Sequence, residues 1–192
     1  MKLYLIRHGI STANLQRRYA GVWDVDLAPE AFDALEELKK QGTYPSIEGK
    51  ALYTSGMRRT EQTFKAIFGD VEHEVLHEFK EMNFGVFEKS CYDELEGDEA
   101  YMQWAMDTTG EFCCPQGESK RMVFDRVMSA IQMLKADGRD AIVVCHGAVT
   151  AILLSYLFGD GNGTNYFDYL PLQGRGYCID FSPNSITYEK IG

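Results

Sequence analysis

The 192-residue sequence contains no C-x-x-C pair and no zinc-type cysteine spacing. Its five cysteines (Cys91, Cys113, Cys114, Cys145 and Cys178) are an odd number, so a complete disulfide framework is excluded and reduced thiols are the reading. A basic surplus is missing too. With 19 Lys and Arg against 29 Asp and Glu, the formal net charge is −10. This argues against a general nucleic-acid or anionic-membrane surface, which needs clustered cations to displace counterions. An anionic ligand must then be captured by a local basic pocket. Met1 and Lys2 lead straight into the four apolar residues of "LYLI", a run too short for a signal-peptide core or a membrane span, so a cytoplasmic protein is expected. Repeats, low-complexity tracts and Pro/Ser-rich linkers are also lacking. The expectation is one domain over residues 1–192, with an apolar content of 45% that suffices to bury a core.

The chain alternates strand-like and helix-like segments. "KLYLIR" reads as a strand and "STANLQRRY" as a helix start capped by Ser11 or Thr12. "APEAFDALEELKKQG" places Phe32, Leu35 and Leu38 at helical spacing. "KALYTS" is a second strand, "GMRRTEQTFKAIFG" an amphipathic helix and "EVLHEF" a third strand. Residues 92–110 look helical but irregular, and "ESKRMVFDRVMSAIQMLKADG" is the strongest helix. "DAIVVCHG" has the continuous apolar run of a strand buried on both faces, and "AVTAILLSYLFG" reads as a buried helix. "GYCIDFS" and "SITYEK" form a closing hairpin through Pro183 and Asn184. The fold class is therefore α/β, a three-layer α/β/α sandwich with a mainly parallel central sheet. Ligands of such sheets bind beyond the carboxyl ends of the strands.

That edge collects an unusual set. Arg7 and His8 follow the first strand, Ser55 to Arg59 the second, Glu81 the third, and His146 with Gly147 the fourth. A phosphomonoester carries close to two negative charges, and two arginine forks can hold its oxygens in a defined orientation. Nearby arginines disfavour an imidazolium and so keep a histidine lone pair available for attack on phosphorus. Glycine after each histidine lets backbone approach the ligand, and the helix starts at Ser11 and after Gly147 add N–H groups.

"RHGISTAN" resembles the R-H-G-x-[ST]-x-x-N signature of the histidine phosphatase superfamily, the phosphoglycerate mutase-like family. "YAGVWDVDL", "TSGMRRTEQT", "EMNFGVFE" and "VVCHGAV" follow in the family's order, so the resemblance spans residues 3 to about 150. It implies that His8 becomes a phosphohistidine, that Arg7, Arg59 and His146 bind the transferring group, and that Glu81 is the general acid and base. Asn14, Gly21 and Gly147 would support phosphate or substrate binding. Counted from Ser55, the family arginine falls on Arg59, and Arg58 is left as a surface residue or substrate contact. No metal and no cofactor are implied, and the partner is a small-molecule phosphomonoester. The run "EMNFGVFE…DEAYMQWAMDT…PQGES…FDRV" further resembles α-ribazole-5′-phosphate phosphatases, which act late in cobalamin nucleotide-loop assembly.

Other features are read more plainly. Glu78 and Glu88 are taken as solvated. His73 and His77 would share one strand face near the surface rather than bind metal. "CHGAVTA" has Ala151 where a cysteine phosphatase loop needs arginine, so Cys145 is assigned to the core. Trp23, Tyr101, Met102 and Trp104 either line a pocket or pack between helices. The short stretch after the last strand favours a phosphatase. A mutase-type phosphotransferase, a metal-dependent hydrolase on His8, His146 and Glu81, and a non-catalytic phosphate-binding regulator stay open. So does the oligomeric state, a homodimer included.

Overall fold

Alternate residues of the first strand, β1 (Lys2–Arg7), serve two different cores: Leu3 and Leu5 point into one apolar cluster and Ile6 into the other. The computed structural model describes residues 1–159, 161, 163 and 166–192. β2 (Ala51–Thr54), β3 (Glu74–Val75), β4 (Ala141–Cys145), β5 (Gly176–Ser182) and β6 (Ser185–Ile191) complete a six-stranded sheet in the order β3-β2-β4-β1-β5-β6. The β3-β2, β2-β4 and β4-β1 pairs are parallel, and β5 and β6 add an antiparallel edge. β4 is buried at every position, as a strand covered on both faces must be.

Helices α2 (Glu30–Lys40) and α3 (Arg58–Phe68) cover one face, where Ala31, Leu35, Phe64 and Ile67 meet Ile142 and Val144. The other face is covered by α5 (Glu99–Ala105), α6 (Lys120–Asp137) and the thoroughly apolar α7 (Gly147–Phe158), which close over Leu3, Leu5, Val143 and Cys145. α6 is bounded as its sequence suggests: Ser119 Oγ accepts the Met122 N–H at 3.1 Å, and Gly138 ends the helix at φ +81°. The three-layer α/β/α class and the closing hairpin are as expected.

Several local readings change. The buried stripe of α2 is Ala31, Leu35 and Leu38, spaced four and three apart, and Phe32 lies one position off it, 44% exposed. α1 is a single turn, Thr12–Leu15, capped by Ser11. Residues 92–105 form two short helices, α4 (Tyr92–Leu95) and α5. The third strand is only two residues long, because β2 offers it pairing at Tyr53 and Thr54 alone. A 3-10 turn, His77–Phe79, then buries Phe79 and turns the chain toward the sheet edge. His73 and His77 therefore share no strand face. His73 Nε2 meets Glu61 Oε2 at 2.9 Å and its Nδ1 meets the Val71 carbonyl at 3.0 Å. Among the described residues, no helix is long and apolar enough to cross a membrane.

Candidate active site

Strand order places the carboxyl ends of β2, β4 and β1 side by side, which brings Ser55, His146 and His8 together from distant parts of the sequence. The His8 N–H bonds the Cys145 carbonyl at 3.0 Å and the Ser55 N–H the Val144 carbonyl at 3.2 Å, so all three are anchored on central strands. The two imidazoles meet edge-on with centroids 5.3 Å apart. A cavity of about 180 Å³ opens there, lined by Arg7, His8, Asn14, Arg59 and Glu81 together with an apolar side described below.

His8 is 4% exposed, and its Nδ1 lies 2.6 Å from the Gly9 carbonyl. A carbonyl only accepts, so Nδ1 carries the proton and Nε2 keeps its lone pair. Burial, then the charges of Arg59 and Arg7, hold the His8 pKa well below the ordinary histidine value against the pull of the Gly9 bond. Burial lowers His146 likewise, with Arg59, His8, Arg126 and Arg7 adding to it. Both rings are neutral in the fold and free to charge in the unfolded chain. Below the unfolded value of about 6.5 the unfolded state therefore binds more protons, and stability falls as pH drops, by up to about 1.4 kcal/mol per unit for each histidine. Denaturant midpoints recorded while pH is lowered through that region should decrease, and His8→Ala should remove a large part of the slope. A midpoint insensitive to pH in that window would mean that the rings charge within the fold.

Arg59 is 1% exposed and held mainly by a loop, with Asp24 Oδ1 4.0 Å from its guanidinium. Its guanidinium donates to the carbonyls of Trp23 at 3.1 Å, Ala20 at 2.9 Å and Gly21 at 3.0 Å. Arg7 donates to the Pro171 carbonyl at 2.6 Å. Burial lowers both guanidinium pKa values, and Glu81 opposes that shift in each. Arg7 Nε, Arg59 Nε and His146 Nδ1 are nonetheless buried without a hydrogen-bond partner among the described residues. Such orphaned polar atoms are costly unless a ligand completes them. Arg58, by contrast, sits on the surface paired with Asp26 at 2.7 Å, outside the cavity. Removing Arg59 should slow turnover on the order of 10²–10³-fold, the worth of one preorganised donor. Arg58→Ala should change it little, since an exposed pair contributes about 0–1 kcal/mol. The reverse ranking in steady-state assays would place the phosphate on the wrong arginine.

Glu81, 9% exposed, is carried to the cavity by the segment after the 3-10 turn. Its Oε1 accepts from Met82 N at 2.9 Å and Val149 N at 3.2 Å, and its Oε2 from Ala148 N at 3.2 Å. The amino end of α7 thus holds a carboxylate of this chain. Asn14 lines the cavity and closes a capping box, its Oδ1 accepting the Ser11 N–H at 3.0 Å, so its amino group is the end left for a ligand. Gly147 lies against Arg7: a Cβ there would stand 2.9 Å from the guanidinium carbon. Gly21 does not line the main cavity. A Cβ at that position would come within 2.4 Å of Glu88 Oε1 and closer still to the Met82 carbonyl, so its part is to let the loop fold tightly.

Glu88 is the main correction. It is not a solvated acid, because its carboxylate accepts the N–H groups of Gly21, Val22, Trp23 and Phe84 at 3.0–3.2 Å. It gathers the loop whose carbonyls grip Arg59. Its position at the end of "EMNFGVFE" was the available signal. Tyr101 and Trp104 pack in the core behind Tyr19 and Phe84, which do reach the cavity, whereas Trp23 and Met102 do not line it. Cys145 is buried as expected, its thiol pushed up to about 12 mainly by burial. Cys114 is buried and pushed up to about 12 in the same way, while Cys113 is exposed. Tyr166, Phe167 and Leu170, which complete the apolar side, carried no sequence signal.

Two arginines and two buried histidines at the carboxyl edge of a parallel-centred sheet form a site suited to an anionic group. The chain belongs to the histidine phosphatase superfamily, branch 1, whose family model matches residues 3–181. It is 31% identical over 156 residues to 6-phosphofructo-2-kinase/fructose-2,6-bisphosphatase 4 of Rattus norvegicus, covering 80% of this chain and 32% of that protein. The chain thus spans about a third of that relative's length. With the probable phosphoglycerate mutase GpmB of Serratia proteamaculans it shares 29% identity over 168 residues, 83% of this chain and 75% of that one. The alpha-ribazole phosphatase of Shigella flexneri has the same fold, with a TM-score of 0.83 at 23% identity over 100% of this chain and 96% of that one.

Proposed function

We propose that the chain is a metal-independent phosphomonoesterase that works through a phosphohistidine on His8. The observation that carries this reading is the 2.6 Å bond from His8 Nδ1 to the Gly9 carbonyl, which leaves Nε2 bare in a cavity lined also by Arg7 and the buried Arg59. Nε2 attacks phosphorus, the P–N bond forms as the ester P–O bond breaks, and Glu81 protonates the departing oxygen. Water then attacks phosphorus, Glu81 takes its proton and the P–N bond breaks. Arg7 and Arg59, with Asn14 in support, hold the equatorial oxygens throughout.

The leaving-group side of the cavity favours an aromatic, otherwise uncharged substituent. Tyr19, Phe84, Tyr166, Phe167 and Leu170 form its wall. The further cation there, Arg18, is taken up by Glu94, with two bonds of 3.0 and 3.1 Å, and by the Lys89 carbonyl. A second phosphate or a carboxylate on the substrate would have to break that pair. α-Ribazole-5′-phosphate, with an aromatic base and one phosphate, fits this description, and a cytoplasmic setting suits five free thiols.

A panel of α-ribazole-5′-phosphate, 3-phosphoglycerate and a sugar bisphosphate, assayed for released phosphate in the presence of chelator, tests the reading. The aromatic monoester should have the highest kcat/KM. Isomerised phosphoglycerate in place of free phosphate would make the chain a mutase. Phosphate binding without turnover would make it a regulator.

A further inference from the structure

Two residues outside the accepted set decide the protonation pattern of His146. Thr60 Oγ1 lies 2.7 Å from the Met57 carbonyl, which can only accept, so the single hydroxyl proton of Thr60 is committed there. Ser55 Oγ lies 3.0 Å from Thr60 Oγ1, and Thr60 has only a lone pair left to offer, so Ser55 donates to it. The Ser55 proton is then spent as well. The 2.8 Å bond between Ser55 Oγ and His146 Nε2 must accordingly run from ring N–H to serine oxygen. All three side chains are fully buried, so water does not relax this one-way chain. His146 is left with a bare Nδ1, buried and unpartnered, on a ring that meets His8 edge-on.

The other orphaned atoms at the site, Arg7 Nε and Arg59 Nε, are donors, whereas His146 Nδ1 is an acceptor. A phosphomonoester dianion has acceptors only and cannot satisfy it. A monoanion brings one P–OH and can.

We infer that Ser55 and Thr60 are positioning residues that lock His146 in the Nε2–H form, so that His146 takes up the proton of a bound phosphomonoester monoanion. In that step the O–H bond of the phosphoryl group breaks, its electron pair stays on oxygen, and the Nδ1 lone pair forms the new N–H bond. The product is an imidazolium facing a phosphoryl dianion, with charge conserved. The charged and titratable groups that act on His146 are Arg59 in α3, His8 and Arg7 at the end of β1 and Arg126 in α6, and the Glu81 carboxylate lies near by on the N–H groups of Ala148 and Val149. In the empty site burial first, and then the charges around it, keep the ring neutral, and the arriving anion opposes both by favouring the imidazolium.

The inference rests on the phosphoryl-binding reading of the site, but its test does not need turnover. With four histidines in the chain, ¹⁵N spectra of the full protein can be assigned through His73→Gln and His77→Gln. His146 should show a protonated Nε2 and a bare Nδ1 in the free protein, and protonation of both nitrogens once inorganic phosphate is bound. A protonated Nδ1 in the free protein, or a neutral ring in the phosphate complex, overturns the inference. Binding without hydrolysis would instead defeat the phosphatase reading and leave this one standing.

Thr60→Val supplies the activity arm. It keeps the shape but lets Ser55 donate to Nε2, which turns His146 into a neutral Nδ1–H donor suited to the dianion. Above the phosphoryl pKa of about 6, wild-type kcat/KM for an alkyl phosphate should fall about tenfold per pH unit relative to the variant. Thr60→Ser, which keeps the hydroxyl, should follow wild type. Parallel pH profiles for wild type and Thr60→Val overturn the assignment.

Discussion

His8→Ala should lower phosphatase turnover by on the order of 10⁴–10⁶, the scale of losing a covalent nucleophile, and should abolish the labelled intermediate. Rapid quench of the wild type with ³²P-labelled substrate should trap a phosphoenzyme that is labile to acid and stable to base, because a P–N bond to imidazole hydrolyses once the ring is protonated. The alanine variant should still bind inorganic phosphate, since Arg7 and Arg59 are held by backbone carbonyls and not by His8. The side chain is buried and its loss leaves a small cavity, so thermal unfolding has to be recorded beside activity. A folded His8→Ala protein that still forms the acid-labile adduct would move the nucleophile elsewhere, and His146 would be the first place to look.

Glu81→Gln should slow the hydrolysis of alkyl phosphates by roughly 10²–10⁴, the usual worth of a general acid. An alkoxide leaves badly unless it is protonated as the P–O bond breaks, whereas a nitrophenolate needs no such help. The burst of phosphoenzyme formation from p-nitrophenyl phosphate should therefore lose much less than the burst from an alkyl ester. Comparing bursts avoids the second step, in which Glu81 would act as a base on water for every substrate. Glu78→Gln serves as the control. Glu88 is unsuitable for that purpose, because its carboxylate gathers the loop that holds Arg59 and its loss would act through the phosphate site. Equal slowing of both bursts by Glu81→Gln would reduce Glu81 to a group that shapes the pocket.

The different legibility of these residues has a physical basis. His8, Arg7 and His146 could be read from the sequence because each ends a strongly apolar strand, and strand ends of a parallel sheet share one edge whatever the details of packing. Glu81 was legible by position but not by the element that carries it. The expected six-residue strand shrank to Glu74–Val75, since pairing in an edge strand depends on how far its neighbour extends. Phe32 was placed in the core by spacing alone, whereas α2 turns Ala31 and Leu35 into the core it shares with α3 and β4. Glu88 looked like any surface acid, because the N–H groups it accepts come largely from a loop more than 60 residues away in sequence.

By itself the sequence determined the α/β class, the order of the main strands and helices, the sheet edge that gathers Arg7, His8 and His146, and the family to which the chain belongs. These follow from apolar periodicity and from short motifs whose residues are near neighbours along the chain. The tertiary structure alone decided which nitrogen of His8 and of His146 is bare, which carbonyls aim the arginines, and which aromatic side chains line the cavity. Those properties depend on hydrogen bonds and contacts between residues far apart in sequence, such as Ser55 with His146, Arg59 with Ala20, and Arg7 with Pro171. A proton shared across such a contact has a direction only when every partner in the chain of bonds is in place.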